Sequence, residues 1–397
     1  MGGAHATPEL DQALRSRPLR SDRTLITDLL YGTLRHLIFL ETALRPRLRA
    51  PDRLPARVRH GLLLGSYEVL VRGTPTHAAV DQWVETIKSV VPQFAGLANA
   101  VLRRIIPPRK AKISEQLSLP SWLYDEFAEG LGTEVAERSA RAMLEAGPLW
   151  LAGIRTGAQR RLEAEGCEVR PGPLADTFAV RCPSPLRRLS AFRDGLVQPQ
   201  NPSSRLPALL LKASRGERVL DLAGGGGVKA AQLAAQGAKV VSVDLNPARL
   251  RRAEENFARL GLQARHIQAD LTTVPNLAPA MKLLLDAPCS GSGTLRGHPE
   301  IKLRLKSQDL PKLAQLQSTL LSTAAALTAS GGTLVYAVCS LTRAEGPEVV
   351  RSFLEATADF EAEPLDLPLP HRTTPYGSFV LPEAGLDGFF VARLRRG

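Results

Sequence analysis

Two cysteines stand where a thiol could do covalent chemistry. Cys289 lies in Asp286-Ala287-Pro288-Cys289-Ser290-Gly291-Ser292-Gly293-Thr294 and Cys339 in Val335-Tyr336-Ala337-Val338-Cys339-Ser340. Each follows a run that reads as a β-strand and sits beside small polar residues. Cysteine is among the most buried residue types, so for any single one the ordinary reading is core packing. That reading suits Cys167 and Cys182. It suits Cys289 and Cys339 poorly, because strand ends are where an α/β sheet gathers its chemistry. Four cysteines with no Cys-x-x-Cys pair and no clustering with histidine argue against a zinc site and a disulfide framework. No metal is expected, and the thiols are expected to be reduced.

Methylation of cytosine would use such thiols. Carbon 5 of the ring is too weak a nucleophile to attack a methylsulfonium, but a thiolate added to carbon 6 turns the ring into an enamine-like nucleophile. After methyl transfer the carbon 5 proton must leave and the thiol must be eliminated, which calls for a second group near the first. Asp286 is placed to stabilise the adduct at the N3 edge of the base. Helix N-termini, Lys229 and Lys302 are candidates for lowering the thiolate pKa.

A cofactor loop precedes these segments. Val219-Leu220-Asp221-Leu222-Ala223-Gly224-Gly225-Gly226-Gly227-Val228-Lys229 sets four glycines between a strand and a helix, where the backbone can turn tightly and approach a ligand. Such a loop alone could equally cradle a phosphate or make a turn; without Gly-Lys-Ser/Thr it is not a P-loop. The next strand ends in Asp244, an acid placed to accept both hydroxyls of a ribose. Asp270 and Asp286 add acids at later strand ends, and together they favour a nucleoside-type ligand. NAD, FAD and S-adenosylmethionine all fit that pattern.

The elements that must position these residues read as alternating strands and helices: strand Arg218–Leu222, helix 228–236, strand Lys239–Asp244, helix 247–260, strand 264–268, strand Lys282–Asp286, helix 308–328 and strand Thr333–Val338. This implies a mostly parallel, doubly wound, Rossmann-like α/β sheet over residues 213–397. Residues 121–212 read as a small α/β subdomain, with a helical stretch from Trp122 to Leu144, strands at Leu149–Ile154 and Thr177–Arg181, and a helix around 157–165. Residues 1–106 read as an all-α domain. Ser21 or Asp22 can cap a helix carrying Ile26, Leu30, Leu34 and Leu37, and amphipathic stretches follow near 57–71, 77–91 and 94–106. Pro107, Pro108, Arg109, Lys110 and Lys112 break the pattern and suit a linker over 107–120.

At 397 residues the chain is long enough for two or three domains. No run of eighteen apolar residues occurs and the first residues include charges, so the reading is a soluble, cytoplasmic protein. The formal charge is +12, and residues 1–120 hold 18 Lys/Arg against 10 Asp/Glu. Such an excess favours a polyanion through counterion release, without separating RNA from DNA.

With these residues in view, the chain resembles the Sun/Nop-type RNA cytosine-5 methyltransferases. Asp286–Ser290, His298-Pro299-Glu300-Ile301-Lys302 and Cys339-Ser340 carry the likeness in order and spacing. Tyr31-Gly32-Thr33-Leu34-Arg35, Thr76-His77-Ala78-Ala79-Val80 and Leu97-Ala98-Asn99-Ala100-Val101-Leu102-Arg103-Arg104 look like the NusB-type helical RNA-binding domain of members that act on bacterial 16S ribosomal RNA. Gln198–Ser204 and Asp387–Leu394 also fit, so the likeness spans nearly the whole chain. It implies S-adenosylmethionine as cofactor, held by Ala223, Gly224, Gly225, Gly226, Gly227, Val228, Lys229, Asp244, Asp270 and Asp286. It also implies Cys339 as nucleophile and Cys289 as the thiol that assists product release. Small-subunit ribosomal RNA is the implied partner, with no membrane and no metal, for a protein taken to be a monomer.

The departures fall mainly in the cofactor loop, where the family usually reads Cys-Ala-Ala-Pro-Gly-Gly-Lys. The extra glycines are expected to loosen the empty loop, and Val228 to resist a positive φ and close backbone approach. Asn201 stands where the family often has aspartate, and no tryptophan follows Lys302. Three rivals remain: the same chemistry on transfer RNA, a non-catalytic RNA-binding assembly protein, and a dinucleotide-dependent oxidoreductase. The last leaves two strand-end cysteines unexplained.

Overall fold

The computed structural model describes residues 6–15 and 23–397, so the proposed caps Ser21 and Asp22 lie outside the described residues. The chain divides into two compact units. One comprises residues 1–128, 134–146 and 295–305; the other comprises 129–133, 147–294 and 306–397.

The first unit is helical. Its core is built by helices Ala56–Tyr67, Thr76–Val90 and Ala95–Leu102, with Leu37–Leu44 packed against them. Val58 and Leu62, Val80 and Ile87, and Ala98 with Val101 and Leu102 recur at helical spacing, so each helix turns one apolar stripe inward. Glu68 is buried at the end of this core and accepts from Arg72, Thr74 and the Trp83 indole. The expected single helix from Trp122 to Leu144 is two helices, Ser121–Leu131 and Thr133–Leu144. Gly132 separates them at φ +79°, a conformation that ends a right-handed helix.

The second unit holds two sheets. The smaller is antiparallel, formed by β1 (Leu149–Gly153), β2 (Glu168–Pro171), β3 (Thr177–Arg181) and β4 (Val197–Pro199), in the order β2-β3-β1-β4. Cys167 and Cys182 are joined by a disulfide, with Cα atoms 4.2 Å apart. This corrects the expectation of reduced, merely packed thiols. Register is the reason: β2 and β3 pair Glu168 with Arg181, which brings the two preceding and following cysteines face to face.

The larger sheet comprises β5 (Arg218–Leu222), β6 (Lys239–Asp244), β7 (Arg265–Gln268), β8 (Ala280–Asp286), β9 (Thr328–Val338), β10 (Phe360–Glu363), β11 (His371–Thr374), β12 (Gly377–Val380) and β13 (Phe389–Arg396). Its order is β11-β12-β13-β9-β8-β5-β6-β7, with β10 also paired to β13. The pairings among β5, β6, β7, β8 and β9 are parallel, whereas β13 lies antiparallel to β9. The sheet is therefore mixed, with a parallel half that matches the sequence reading. Helices on both faces bury Leu220, Leu222, Leu283, Leu284, Leu285, Val335 and Tyr336 completely, which is why residues 283–285 and 334–338 read as continuous apolar runs, while β5 carries one buried acid, Asp221. Chain order reverses between β8 and β6 on either side of β5, leaving a crevice at the carboxyl ends of these strands.

Candidate active site

Four parallel strands deliver the site. The turn after β5 carries Ala223–Gly227, β6 ends at Asp244, β8 ends at Asp286 with Cys289 three residues on, and Cys339 follows β9. Strands β8 and β9 pair Asp286 with Ala337. Just beyond this last pair, the Cys289 and Cys339 Sγ atoms lie 3.2 Å apart.

The glycine turn alternates in hand. Ala223, Gly225 and Gly227 have φ of +59°, +57° and +73°. Gly224 has no positive φ, yet a Cβ there would overlap the Ser242 hydroxyl and the Asp221 carboxylate, both buried. Gly227 packs against Ala253 and caps helix Val228–Ala235. Val228 is the first residue of that helix and is absent from the positive-φ positions, so the strain expected of it does not arise. The left-handed position falls one residue earlier, on Gly227, and the Val228 carbonyl accepts from Gln198 Nε2 at 3.0 Å.

Asp244 is buried and ties the turn to the next helix. Its Oδ2 accepts from the Gly225 backbone N–H at 2.9 Å and its Oδ1 from that of Asn246 at 2.7 Å. Asn246 then caps helix Pro247–Leu260. Asp270 is held differently, by the backbone N–H and hydroxyl of Thr272 at 2.8 and 2.7 Å, which keep its carboxyl below the usual aspartate range.

Lys229 reaches from the glycine turn to Asp286, with Nζ 2.6 Å from Oδ2, and lies over the Phe389 ring at 5.5 Å. Burial works against its ammonium. The charge and hydrogen bond of Asp286 outweigh that, with Cys339 and Asp221 adding to them, and hold Lys229 above the usual lysine value. Lys302 belongs to the helical unit, where its Nζ donates to the Arg35 carbonyl and lies 3.4 Å from Ser118 Oγ, so its ammonium is engaged there rather than with a thiol.

Two buried groups complete the electrostatics. The hydrogen bond to Cys339 first, then burial, then the negative charge available at Cys339 and Glu345, push the Cys289 thiol well above the ordinary cysteine range. Burial and then the neighbouring Asp286 push Asp221 up to about 7. Sequence reasoning passed over Asp221 as a strand residue, although an acid inside an apolar strand is a visible signal. Glu345 gives less of a signal, lying in a polar loop six residues after Cys339.

Two cavities flank this centre. One of about 760 Å³ is lined by Ala223, Gly225, Asp244, Asp270, Asp286, Cys289 and Cys339, with apolar walls from Leu245, Pro247, Leu271, Leu316 and Leu320. The other, about 390 Å³, is lined by Ala223–Gly226, Val228, Lys229, Asp286, Cys339, Gln200, Asn201, Thr294, Asp387 and Phe389. Ala223, Gly225, Asp286 and Cys339 line both. Gly227 lines neither. Strand-end carboxylates with apolar walls in the larger cavity suit a nucleoside that carries hydroxyls and a flat base.

Asn201 is explained by its contacts. Its Oδ1 accepts from the Ser203 and Asp387 backbone N–H groups, and its Nδ2 donates to the Gly385 carbonyl at 3.3 Å. An aspartate could not make that last bond. Among the described residues no helix is long and apolar enough to cross a membrane, and no group of three or more His, Cys, Asp or Glu is arranged to hold a metal.

Residues 208–395 match the family described as 16S rRNA methyltransferase RsmB/F, and residues 4–107 match the NusB family. A ribosomal RNA small subunit methyltransferase B of Thermus thermophilus is 45% identical over 395 residues, spanning 99% of this chain and 94% of its own. The protein of the same description from Escherichia coli O127:H6 is 33% identical, spanning 98% of this chain and 92% of its own. Among solved structures, PH0851 superposes with a TM-score of 0.79 at 24% identity over 97% of this chain and 93% of that one, a likeness of fold. A methyltransferase homolog protein from Pyrococcus horikoshii has a TM-score of 0.63 and 27% identity, covering 74% of this chain and 100% of that one.

Proposed function

The chain belongs to the 16S rRNA methyltransferase RsmB/F family, as an RNA methyltransferase that uses S-adenosylmethionine, and on that premise we propose that it methylates carbon 5 of a cytosine in 16S ribosomal RNA through a covalent bond to Cys339. The observation that most supports this reading is the thiol pair, 3.2 Å apart, with Cys339 on the wall common to both cavities.

The larger cavity is assigned to the cofactor, with Asp244 facing the ribose hydroxyls, Ala223, Gly225 and Asp270 along it, and Leu245 and Leu271 against the base. S-adenosylmethionine supplies an electrophilic methyl group when bound there. The smaller cavity is assigned to the target cytosine, which must leave its stack to enter. The Cys339 thiolate adds to carbon 6, forming an S–C bond while the ring's electrons become available at carbon 5. Lys229 lends positive charge to the thiolate, and Asp286 steadies the N3 edge of the adduct. Once carbon 5 carries the methyl group, its proton passes to a base, the S–C bond breaks and the Cys339 thiolate is restored. Cys289 assists that last step.

In this reading the basic residues 1–106 and the 107–120 segment hold phosphates flanking the target, Pro199, Gln200, Asn201 and Ser204 line the base cavity, and 213–397 carry the chemistry. The enzyme acts as a cytoplasmic monomer. The test is incubation with radiolabelled S-adenosylmethionine and unmodified small-subunit ribosomal RNA, with bisulfite mapping. Label on a cytosine that disappears in Cys339→Ala is the expected result, together with a trapped RNA–protein adduct in Cys289→Ala. Methylation that persists in Cys339→Ala overturns the nucleophile; label confined to transfer RNA overturns the substrate.

A further inference from the structure

The carboxylate of Glu345 takes no part in those steps, yet it is wholly buried between the two cysteine loops. Its Oε1 accepts from the Ser290 backbone N–H at 2.7 Å and from Gln317 Nε2 at 3.1 Å. Its Oε2 accepts from the Ser290, Ser340 and Thr342 hydroxyls at 2.6, 2.7 and 3.0 Å. Ser290 and Ser340 directly follow Cys289 and Cys339. Gln317 also donates to the Pro288 carbonyl at 2.9 Å, on the other side of Cys289. Every partner of this carboxylate is neutral. A carboxylate taken out of water without a cation is a costly way to fill a core, and it persists only when hydrogen bonds satisfy it. Five donors do so here, and three of them belong to the residues next to the thiols.

We infer that Glu345 is a positioning residue for the thiol pair, fixing through Ser290 and Ser340 the spacing at which Cys289 serves the elimination of Cys339 from the methylated base. The inference rests on Cys339 being the nucleophile. Parallel strands β8 and β9 bring the two loops near each other, but the cysteines lie beyond the last paired residues, Asp286 and Ala337. Beyond that point a single backbone bond, from the Gly293 N–H to the Cys339 carbonyl at 3.0 Å, joins the loops, and the Glu345 carboxylate gathers the residues next to both thiols onto one group. Thr342 and Ser292 extend the tie, with Ser292 Oγ 3.0 Å from Ser340 Oγ.

Glu345→Gln keeps the shape, since the amide oxygen still accepts and two of the three hydroxyls can turn to accept from the two amide N–H groups, leaving one unmatched. With unmodified small-subunit ribosomal RNA as substrate, the expected result is kcat down by about tenfold or more, with RNA KM and S-adenosylmethionine affinity within about twofold of wild type. A slower release of the covalent RNA adduct accompanies it. Ser340→Ala should then cost less in the Glu345→Gln background than alone, because both changes cut one connection. An unchanged kcat, or a kcat loss matched by equal loss of cofactor affinity and melting temperature, overturns the positioning role. If Glu345→Gln does not fold, Ser290→Ala and Ser340→Ala carry the test, and full activity of both overturns it. Cys339→Ala is assayed alongside: residual methylation there defeats the nucleophile reading, whereas inactive Cys339→Ala beside a fully active Glu345→Gln defeats the positioning role alone.

Discussion

Lys229 Nζ and Asp286 Oδ2 lie 2.6 Å apart, joining the start of the helix after the glycine turn to the end of β8, with Asp286 on the wall of both cavities and Lys229 on that of the smaller one. The pair is asymmetric, since Lys229 is buried while Asp286 is about 30% exposed in its side chain. Water therefore softens the loss of either partner, but the geometry of the site depends on both.

Lys229→Met removes the cation while keeping the length of the side chain. The expected cost is on the order of 2 kcal/mol in stability, below that of breaking a fully buried pair. Activity should fall further than stability, by about a hundredfold in kcat/KM, because Asp286 loses its anchor and Cys339 loses a cation that interacts with it. Thermal unfolding and steady-state methylation on the same preparations separate the two effects, and an activity loss no larger than the stability change would count against this role.

The four-glycine turn gives an internal contrast. Gly224→Ala must displace Ser242 or Asp221, neither of which has room to move, and should cost about 1–3 kcal/mol with a weaker grip on the cofactor. Gly226→Ala meets nothing within 4 Å and needs no positive φ, so it should leave stability unchanged or slightly raised. Calorimetric binding of S-adenosylmethionine to both variants checks the difference; equal affinities would show that the turn is looser than its packing implies.

Asp221 makes stability depend on pH in a defined direction. Its folded pKa is raised from 3.8 to about 7, so the folded protein keeps a proton that the unfolded chain releases near 3.8. The stabilisation is complete below the unfolded value and is lost as pH rises through about 7, amounting to a few kcal/mol on the order of 1.4 per unit. Relative to Asp221→Asn, wild type should lose denaturant midpoint steadily from pH 5 to 7 and level off above. Parallel curves for the two proteins would place the proton elsewhere.

Much of this site was legible from local pattern. The parallel strands are mostly apolar on both faces, so the acids and the thiol at their carboxyl ends, Asp244, Asp286 and Cys339, stood out in the sequence. The glycine run announced a backbone brought close to a ligand. These signals survive without the fold because they arise from a strand's own burial and a turn's own dihedral demands.

Tertiary structure decided what depends on residues far apart meeting. Strand β13 inserts antiparallel between β9 and β12, a pairing no local period encodes, and it brings Phe389 over Lys229. Asn201 meets Gly385 across 184 positions. The register of β2 and β3 joins Cys167 to Cys182, and the placement of one helix start on Gly227 relieves Val228 of the strain its type suggested. Glu345 is the clearest case: in sequence it is one acid in a polar loop, and only the folding of two loops around its carboxylate turns it into the link between two thiols. Burial and hydrogen bonding between distant segments are properties of the packed chain, so residue type and spacing alone could not disclose them.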